Sequence, residues 1–586
     1  NKCYGKLGAL FRGPKKHRDS RKVRPMFSLL RSGLFLVPCL LFTSLCNSQA
    51  VAGPQTSSLV SRSTALDEVP SANPAGATEN TISSVSPSLK AAIRAADVLG
   101  DALSLYRRGN LVAAIEKYRL ILRADPSSPE AHAGIARIYL KQGNVDEASQ
   151  TVRDGLKFSD SPDLRVALGE VYFRQGKIPE AEQEWLNVVN AGSPNGRAYL
   201  GLSRVQNARS LYGQGKVMVD KAREFNVVDP DIELNWNMTL PLSERIRHLE
   251  SYLASPEGSV ADDRAKSQDY LDYLKMLQRA PQGTCQVSNP LTKIETPLVA
   301  LQADPEHLRG YGVKANLNGR KSTLMLDTGA SGILISRKTA EKAGIIRIAA
   351  ARIGGVGDGG TSTGYIGMAS VIKIGDLEIH DCPVMVLDKR SVLEDEGVIG
   401  TDIFEQFLVN IDFPNEKLRL FPLPTQPEAG QSAAAASPVL RDAYTSQEMK
   451  SYTKVYRFRH YLLVPTKVGR VADKLFLLDT GGLVSQITPA VAREITRLTA
   501  DSGRIVKGIT GSVNQVYRAE KTVLQFGNLR QEDQDLTAFD LSSASQSVGI
   551  EISGTLGFET LRGLNIKIDY RDGLVHFDSE LASNRP

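Results

Sequence analysis

The stretch LMLDTGASGILIS, Leu324 to Ser336, carries an aspartate to the end of an apolar run and follows it at once with Thr-Gly-Ala-Ser. The run Leu-Met-Leu reads as a buried strand, and an ionised carboxylate there costs several kcal/mol unless something pairs with it. One resolution is local: Asp-Thr-Gly after a strand opens a turn, with the aspartate bonding the backbone two residues on. A second copy argues for more than a turn. FLLDTGGLVSQIT, Phe476 to Thr488, repeats the device 152 residues later.

Other landmarks keep step with it. Gly400 in GVIGTDIF matches Gly557 in GTLGFETL, and Asp412 in VNIDF matches Asp569 in IKIDY, each pair 157 apart. Three landmarks in order imply a duplicated domain, each copy about 130–140 residues long and within the usual domain range. Between them the texture is β: YGVKANLNGRKSTLMLD, ASVIKIGDLEIHDCPVMVLD and FLVNIDFPNEKLRLFPL alternate apolar runs with Gly and Asn turns. The Pro/Ala/Ser-rich run PLPTQPEAGQSAAAASPVL divides the copies. The expected lobes are 286–424 and 446–583, joined by a linker at 425–445.

Two duplicated lobes facing each other place Asp327 beside Asp479. Like charges a few ångströms apart do not both ionise readily, so the pair shares a proton. The ionised carboxylate can then activate a water while the protonated one polarises a carbonyl, which is what amide hydrolysis requires. Thr328 and Thr480 are expected to brace the lobes beneath the pair. Gly329 and Gly481 let backbone approach and offer N–H groups to the carboxylates. No nucleophilic side chain, cofactor or metal is needed, and the seven scattered histidines form no zinc pattern.

These residues resemble the aspartic proteases of the retropepsin-like kind, with two lobes in one chain as in pepsin-like enzymes. The family pattern of two apolar residues, Asp-Thr-Gly and a small residue is matched by Met325 to Ala330 and by Leu477 to Gly482. The later apolar-apolar-Gly is matched by Val398-Ile399-Gly400 and Thr555-Leu556-Gly557. The resemblance implies an all-β bilobal acid-protease fold, catalytic Asp327 and Asp479, and a peptide or protein substrate. It also implies that the later segment packs beneath the catalytic loop. The Gly-rich 354–365 and the weaker 506–517 fall where flap hairpins lie. Tyr365 and Tyr517 end them as flap tyrosines or as plain strand residues. The second copy departs: Leu483 stands where Ser331 stands in the first, and Gly482 and Leu483 offer no hydroxyl near Asp479. Fewer hydroxyl donors to the carboxylates favour a higher dyad pKa and activity at less acidic pH.

Ahead of the β half lies a helical repeat. YRRGNLVAAIEKY, YLKQGNVDEASQTV and YFRQGKIPEAEQEW align, with Gly109, Gly143 and Gly176 spaced 34 and 33 apart. Ala114, Ala148 and Ala181 keep the same steps, and Pro129, Pro162 and Pro194 fall between units. This resembles tetratricopeptide repeats, which implies a helical solenoid that holds an unidentified protein partner. The expected repeat domain is 89–280, with the helical pattern of 240–280 capping the stack. The fold class is therefore multidomain: an all-α helical-repeat solenoid followed by the bilobal β half.

The N-terminus is of another kind. Residues 1–31 carry ten Lys/Arg and one acid, so +9 of charge lies there and the chain's +6 leaves −3 on the rest. No basic nucleic-acid footprint remains. From Met26, the basic flank, the apolar LFLVPCLLF and the small residues near Ala50 and Ala52 read as a signal peptide, giving a leader at 1–52. The Ser/Thr/Pro-rich 53–88 reads as a flexible tether. Export to the periplasm or the extracellular space is expected, with membrane anchoring if the leader stays uncleaved. Of five cysteines only Cys285 and Cys382 lie beyond the leader, either paired or as two free thiols. The function expected is an exported aspartic endopeptidase with repeats for protein interaction. The alternative is an inactive peptide-binding scaffold with a pseudo-protease half.

Overall fold

The computed structural model describes residues 87–579, apart from 193–194, 226–228, 256–263, 280–284, 289–292, 305–306, 389–396, 427–441, 502, 521 and 534–535. The leader, the tether as far as 86 and most of the second linker lie outside the described residues.

The helical half runs α1 (Pro87–Arg107), α2 (Leu111–Ala124), α3 (Pro129–Gln142), α4 (Val145–Leu156), α5 (Pro162–Arg174), α6 (Ile178–Asn190), α7 (Gly196–Ala208), α8 (Tyr212–Phe225), α9 (Pro230–Asn237), α10 (Leu242–Ala254) and α11 (Arg264–Gln278). The repeat glycines end the first helix of each pair. Gly109, Gly143 and Gly176 take φ of 82°, 82° and 76°, a left-handed turn that side chains resist. New helices open on Ser128 and Ser161, whose hydroxyls accept from Ala131 and Leu164 N–H, with Pro129 and Pro162 in the first turn. Ala114, Ala148 and Ala181 are fully buried where helices cross. Gly201 is needed for the same reason, since a Cβ there would lie 2.3 Å from the Trp185 indole.

The solenoid is fastened to the second β lobe. Phe173, Trp185 and Leu202 share a core with Leu463, Leu477, Phe539 and Ile552. Arg174 Nη1 donates to the Ser545 carbonyl at 2.7 Å, and Glu551 N–H returns a bond to the Arg174 carbonyl at 2.9 Å. The α10–α11 pair adjoins α9, where His248 meets the Trp236 ring edge-on at 5.0 Å, and it also reaches beyond the stack. Its apolar face, with Ile246, Leu249, Leu271 and Leu274, packs on Ala351 and Ile366 of the first lobe. Helical periodicity shows that a face is buried but not what buries it.

In the first lobe the strands are β1 (Gln286–Val287), β2 (Ile294–Asp304), β3 (His307–Leu317), β4 (Arg320–Asp327), β5 (Ile333–Ser336), β6 (Ile346–Ile353), β7 (Ser362–Ile374), β8 (Leu377–Leu387), β9 (Gly397–Gly400), β10 (Phe407–Asp412) and β11 (Lys417–Pro422). A disulfide joins Cys285, beside β1, to Cys382 in β8. The second lobe opens with β12 (Thr453–Lys454), β13 (Tyr456–Phe458), β14 (Tyr461–Val468) and β15 (Val471–Leu478). In each lobe the strand bearing the aspartate pairs in parallel with the later apolar-apolar-Gly strand. Asp327 stands opposite Gly400, and Leu478 opposite Leu556.

The lobes are joined edge to edge. β10 pairs antiparallel with β11 on one side and with Asn565–Asp569 of the second lobe on the other, Leu408 opposite Asp569. The matched aspartates of this sheet differ. Asp412 is held by Arg419 at 2.5 Å and Asn415 at 3.0 Å. Asp569 is fully buried, and its carboxyl is pushed up to about 7 by that burial and then by the charge of Asp572. A carboxyl raised in the folded state contributes stability that is complete below its unfolded pKa near 4 and is lost as pH rises through 7. Asp569→Asn should therefore add on the order of 2 kcal/mol at pH 8 and little at pH 4. Urea unfolding at the two pH values checks this, and an equal effect at both would contradict it.

Among the described residues no helix is long and apolar enough to cross a membrane.

Candidate active site

Asp327 ends β4 and Asp479 follows β15, each at the point where the chain leaves the sheet. The threonines beneath them interlock the lobes. Thr328 N–H donates to Thr480 Oγ1 and Thr480 N–H to Thr328 Oγ1, both at 3.0 Å. Each hydroxyl then donates across the interface, Thr328 to the Leu478 carbonyl at 2.7 Å and Thr480 to the Leu326 carbonyl at 3.0 Å. Both threonines are buried, so all four bonds are shielded from water.

This grip brings the two carboxyls into hydrogen-bonding contact with one another. Asp327 accepts from Gly329 N–H at 2.7 Å, and the nearby Gly481 and Ala330 amides also draw its pKa down. Asp479 accepts from Gly482 N–H at 2.9 Å. The glycines are required by space. A Cβ on Gly481 would come within 2.3 Å of the Asp327 carboxyl, and one on Gly329 within 2.9 Å of Asp479 Oδ1. Each residue keeps part of its surface open. Burial, then the neighbouring Asp479 charge, pushes the Asp327 carboxyl up to about 7 against the pull of these amides. Burial raises Asp479 as well. Two acids that resist ionising side by side hold one proton between them over a wide pH range.

Ser331 does not serve the dyad. Its hydroxyl donates to Asp402 Oδ2 at 2.8 Å, and Gly332 N–H donates to Asp402 Oδ1 at 2.9 Å. Asp402 thus ties the loop after Asp327 to the segment after Gly400, and burial raises its carboxyl to about 6. In the second lobe the matching residue is Glu559, whose side chain is exposed. There the backbone makes the tie: Phe558 N–H donates to the Gly482 carbonyl at 2.7 Å and Glu559 N–H to the Leu483 carbonyl at 2.9 Å. The Ser-to-Leu departure therefore removes an anchor that the second lobe replaces with these main-chain bonds and with Ser485, whose Oγ accepts from Gly557 N–H at 3.0 Å. Asp402 escaped the sequence reading, although its place two residues after Gly400 was a usable signal.

The two Gly-rich segments meet tip to tip. Gly359 N–H donates to the Thr510 carbonyl at 3.0 Å, and Thr510 N–H to the Val356 carbonyl at 3.1 Å. Asn514 N–H donates to Asp358 Oδ2 at 2.7 Å, and Thr510 Oγ1 to the Gly355 and Gly357 carbonyls. The contact runs through bare backbone, since a Cβ on Gly359 would lie 2.1 Å from the Thr510 carbonyl oxygen. Ile509 packs against a first-lobe pocket of Leu334, Ile353, Leu387 and Met385. Tyr365 is a core residue of the first lobe, paired with Val386, and Tyr517 is half-buried in the second lobe, paired with Ala538. Neither lies in the joined tips. Among the described residues no group of three or more His, Cys, Asp or Glu side chains is placed to hold a metal ion.

Residues 313–403 match the aspartyl protease family, and residues 105–158 and 134–197 match two tetratricopeptide repeat families. The chain is also similar to the UBA domain-containing protein Mud1 of Schizosaccharomyces pombe, 31% identical over 116 residues. It is 30% identical over 108 residues to the DNA damage-inducible protein 1 of Chaetomium globosum. Each match takes in 18% of this chain, and it spans 32% of the first relative and 23% of the second. A retropepsin-like aspartyl protease domain thus follows a set of tetratricopeptide repeats, which are helical modules for protein interaction.

Proposed function

We propose that the β half is an aspartic endopeptidase whose two lobes supply one carboxyl each, and that the helical repeats bring a protein to it. The observation that carries this reading is the pair Asp327 and Asp479, held in contact by reciprocal threonine bonds, both raised in pKa by burial and Asp327 further by the charge of Asp479. The singly protonated pair supplies both halves of general acid–base catalysis. The ionised carboxyl takes a proton from a water as it attacks the peptide carbonyl. The protonated one donates to the carbonyl oxygen, and the proton taken from water then passes to the leaving nitrogen. Thr328, Thr480, Gly329 and Gly481 hold the two carboxyls in register. The joined tips at 354–361 and 508–514 are the cover that must part to admit a peptide and close to exclude water. Export is part of the proposal, and the Cys285–Cys382 disulfide supports it, because such bonds persist in oxidising compartments.

The pH dependence follows from the shared proton. Raising pH strips the second proton, leaves two carboxylates and removes the acid, so activity falls on the alkaline side near pH 7. The test is cleavage of an unfolded protein by residues 53–586 between pH 3 and 9, with and without a pepstatin-type transition-state mimic, and with Asp327→Asn and Asp479→Asn. The expected result is mimic-sensitive cleavage that persists to about pH 6–7 and is lost in both variants. An optimum as acid as that of gastric enzymes would contradict the raised dyad. Cleavage retained by either variant would sink the shared-dyad mechanism. Peptide binding without cleavage at any pH would leave a scaffold instead.

A further inference from the structure

The inner face of the solenoid holds a second cluster of charge, and the chemistry of the twin aspartates makes no use of it. Helices α1, α3, α5 and α7, the first of each pair, send side chains into one network that ends on the start of α9. Tyr106 of α1 donates its hydroxyl to Asp231 Oδ2 at 3.1 Å, and Lys141 of α3 donates to Asp231 Oδ1 at 2.8 Å. Arg197 of α7 donates to Asp229 Oδ2 at 2.6 Å, to Asp231 Oδ2 at 2.9 Å and to Glu170 of α5 at 2.9 Å. Arg137 of α3 donates to Glu170 as well, at 3.0 Å. Tyr106 and Asp231 are 125 residues apart, so the network draws the coil of helices closed.

Beside this network lies a cavity of about 50 Å³ walled by Tyr106, Arg107, Tyr118, Arg137, Arg197 and Asp229. The acids around it are already taken. Arg137, Lys141 and Arg197 stand against Glu170, Asp229 and Asp231, three cations to three anions. Asp229 also caps α9, accepting from Asp231 N–H at 2.9 Å and from Ile232 N–H at 3.3 Å. Arg107 is the unbalanced charge. Among the described residues it has neither a hydrogen-bond nor an ion-pair partner. Arg137 reaches Glu170 through Nε, and its two Nη groups have no partner among the described residues. Tyr118 is 2% exposed, and its hydroxyl has none either. Burial raises that phenol while Arg137, Arg197 and Arg107 pull it back, so three guanidiniums act on one hydroxyl. Gly134 gives the ring its place, because a Cβ there would lie 2.4 Å from it.

We propose that this cavity binds a small free oxyanion, a carboxylate or a phosphate, between Arg107, Arg137 and Tyr118. A guanidinium suits such a ligand because its fork of N–H groups meets two oxygens at once, and the phenol adds a further donor. Partly buried donors with no acid of their own attract an anion more strongly than the same groups would in open water. Size sets the class of ligand. About 50 Å³ holds a group of a few heavy atoms and falls far below the pocket of a drug-sized molecule, so an extended peptide has no room. The wall draws on α1, α2, α3, α7 and the start of α9, so an occupant ties both ends of the coil together and stabilises the folded repeats by mass action. The site lies wholly in the repeat domain and does not depend on the protease reading.

The test is calorimetric titration of the full chain at pH 7 with inorganic phosphate and with acetate, against chloride at matched ionic strength. One saturable site is expected for at least one of the two oxyanions and none for chloride. Arg107→Gln breaks no contact within the chain and should weaken binding about tenfold. Tyr118→Phe keeps the ring against Gly134 and should weaken it about threefold or more. Arg108→Gln, the exposed neighbour, should leave it unchanged. Failure of both oxyanions to saturate a site overturns the proposal, as does an affinity that Arg107→Gln does not move. Displacement of bound phosphate by amidated hexaglutamate at a lower concentration would assign the cavity to an acidic segment of a protein and overturn the small-ligand class. Should a variant fail to fold, phenylglyoxal labelling of the unmutated chain, read by mass spectrometry, decides. Phosphate must protect Arg107 and leave Arg108 reactive, and equal labelling of Arg107 with and without phosphate overturns the proposal.

Discussion

Asp327→Asn is expected to abolish peptide cleavage and to make the chain more stable above neutral pH. The two effects come from the same contact. In the folded chain the Asp327 carboxyl is pushed up to about 7 by burial and by Asp479, so folding favours its protonated form. A carboxyl raised in this way contributes stability that is complete below its unfolded pKa near 4 and disappears as pH rises through 7. Above that, the folded chain holds two charges side by side, and a neutral amide in place of one relieves the repulsion. Because the residue keeps part of its surface open, the gain at pH 8 is expected to be about 1–2 kcal/mol, well short of the full shift. The amide also turns an NH2 toward one of the nearby amides of Gly329, Gly481 and Ala330, which trims the gain further. Cleavage should fall by about 10³-fold or more, since the pair no longer shares a proton that can be given and taken. Denaturant unfolding at pH 5 and pH 8, beside the cleavage assay, reads both. A variant that loses activity and also loses stability at pH 8 would mean that Asp327 is a structural carboxylate.

Thr480→Val is expected to loosen the lobes as well as to disable the site. The hydroxyl accepts from Thr328 N–H and donates to the Leu326 carbonyl, both at 3.0 Å in a buried setting. Valine keeps the shape and leaves a buried N–H and a buried C=O without partners, at about 1–3 kcal/mol each. A total near 3 kcal/mol is therefore expected in unfolding, with Thr480→Ser recovering most of it. Activity should fall about 10²-fold, because displacements well under an ångström at reacting groups are costly. The serine variant separates the hydroxyl from the methyl group: if serine fares no better than valine, the grip is packing rather than hydrogen bonding.

The separate fates of Ser331 and Asp327 show how far the linear pattern reaches. Asp327, Thr328 and Gly329 were legible because their chemistry is local: a carboxylate at a strand end, a hydroxyl and a residue without Cβ. The repeat glycines and alanines of the helical half were legible for the same reason, since a left-handed turn and a tight crossing each select one small residue type. Ser331 looked like part of the dyad from its place in DTGAS, yet its partner is Asp402, 71 residues away. The α10–α11 pair showed a buried face, and what covers it, Ala351 and Ile366, could not be read from helical period.

The sequence by itself therefore determined the fold class, the duplication and the identity of the two carboxyls. Those depend on periodicity, on turn chemistry and on the cost of burying a charge, and all three are written along the chain. Only the tertiary structure decided that the threonines grip reciprocally and that the Gly-rich tips bond to each other through bare backbone. Each of these is a contact between residues about 150 apart in the chain. Such pairs leave no local signature, because what selects them is the distance at which two folded lobes meet.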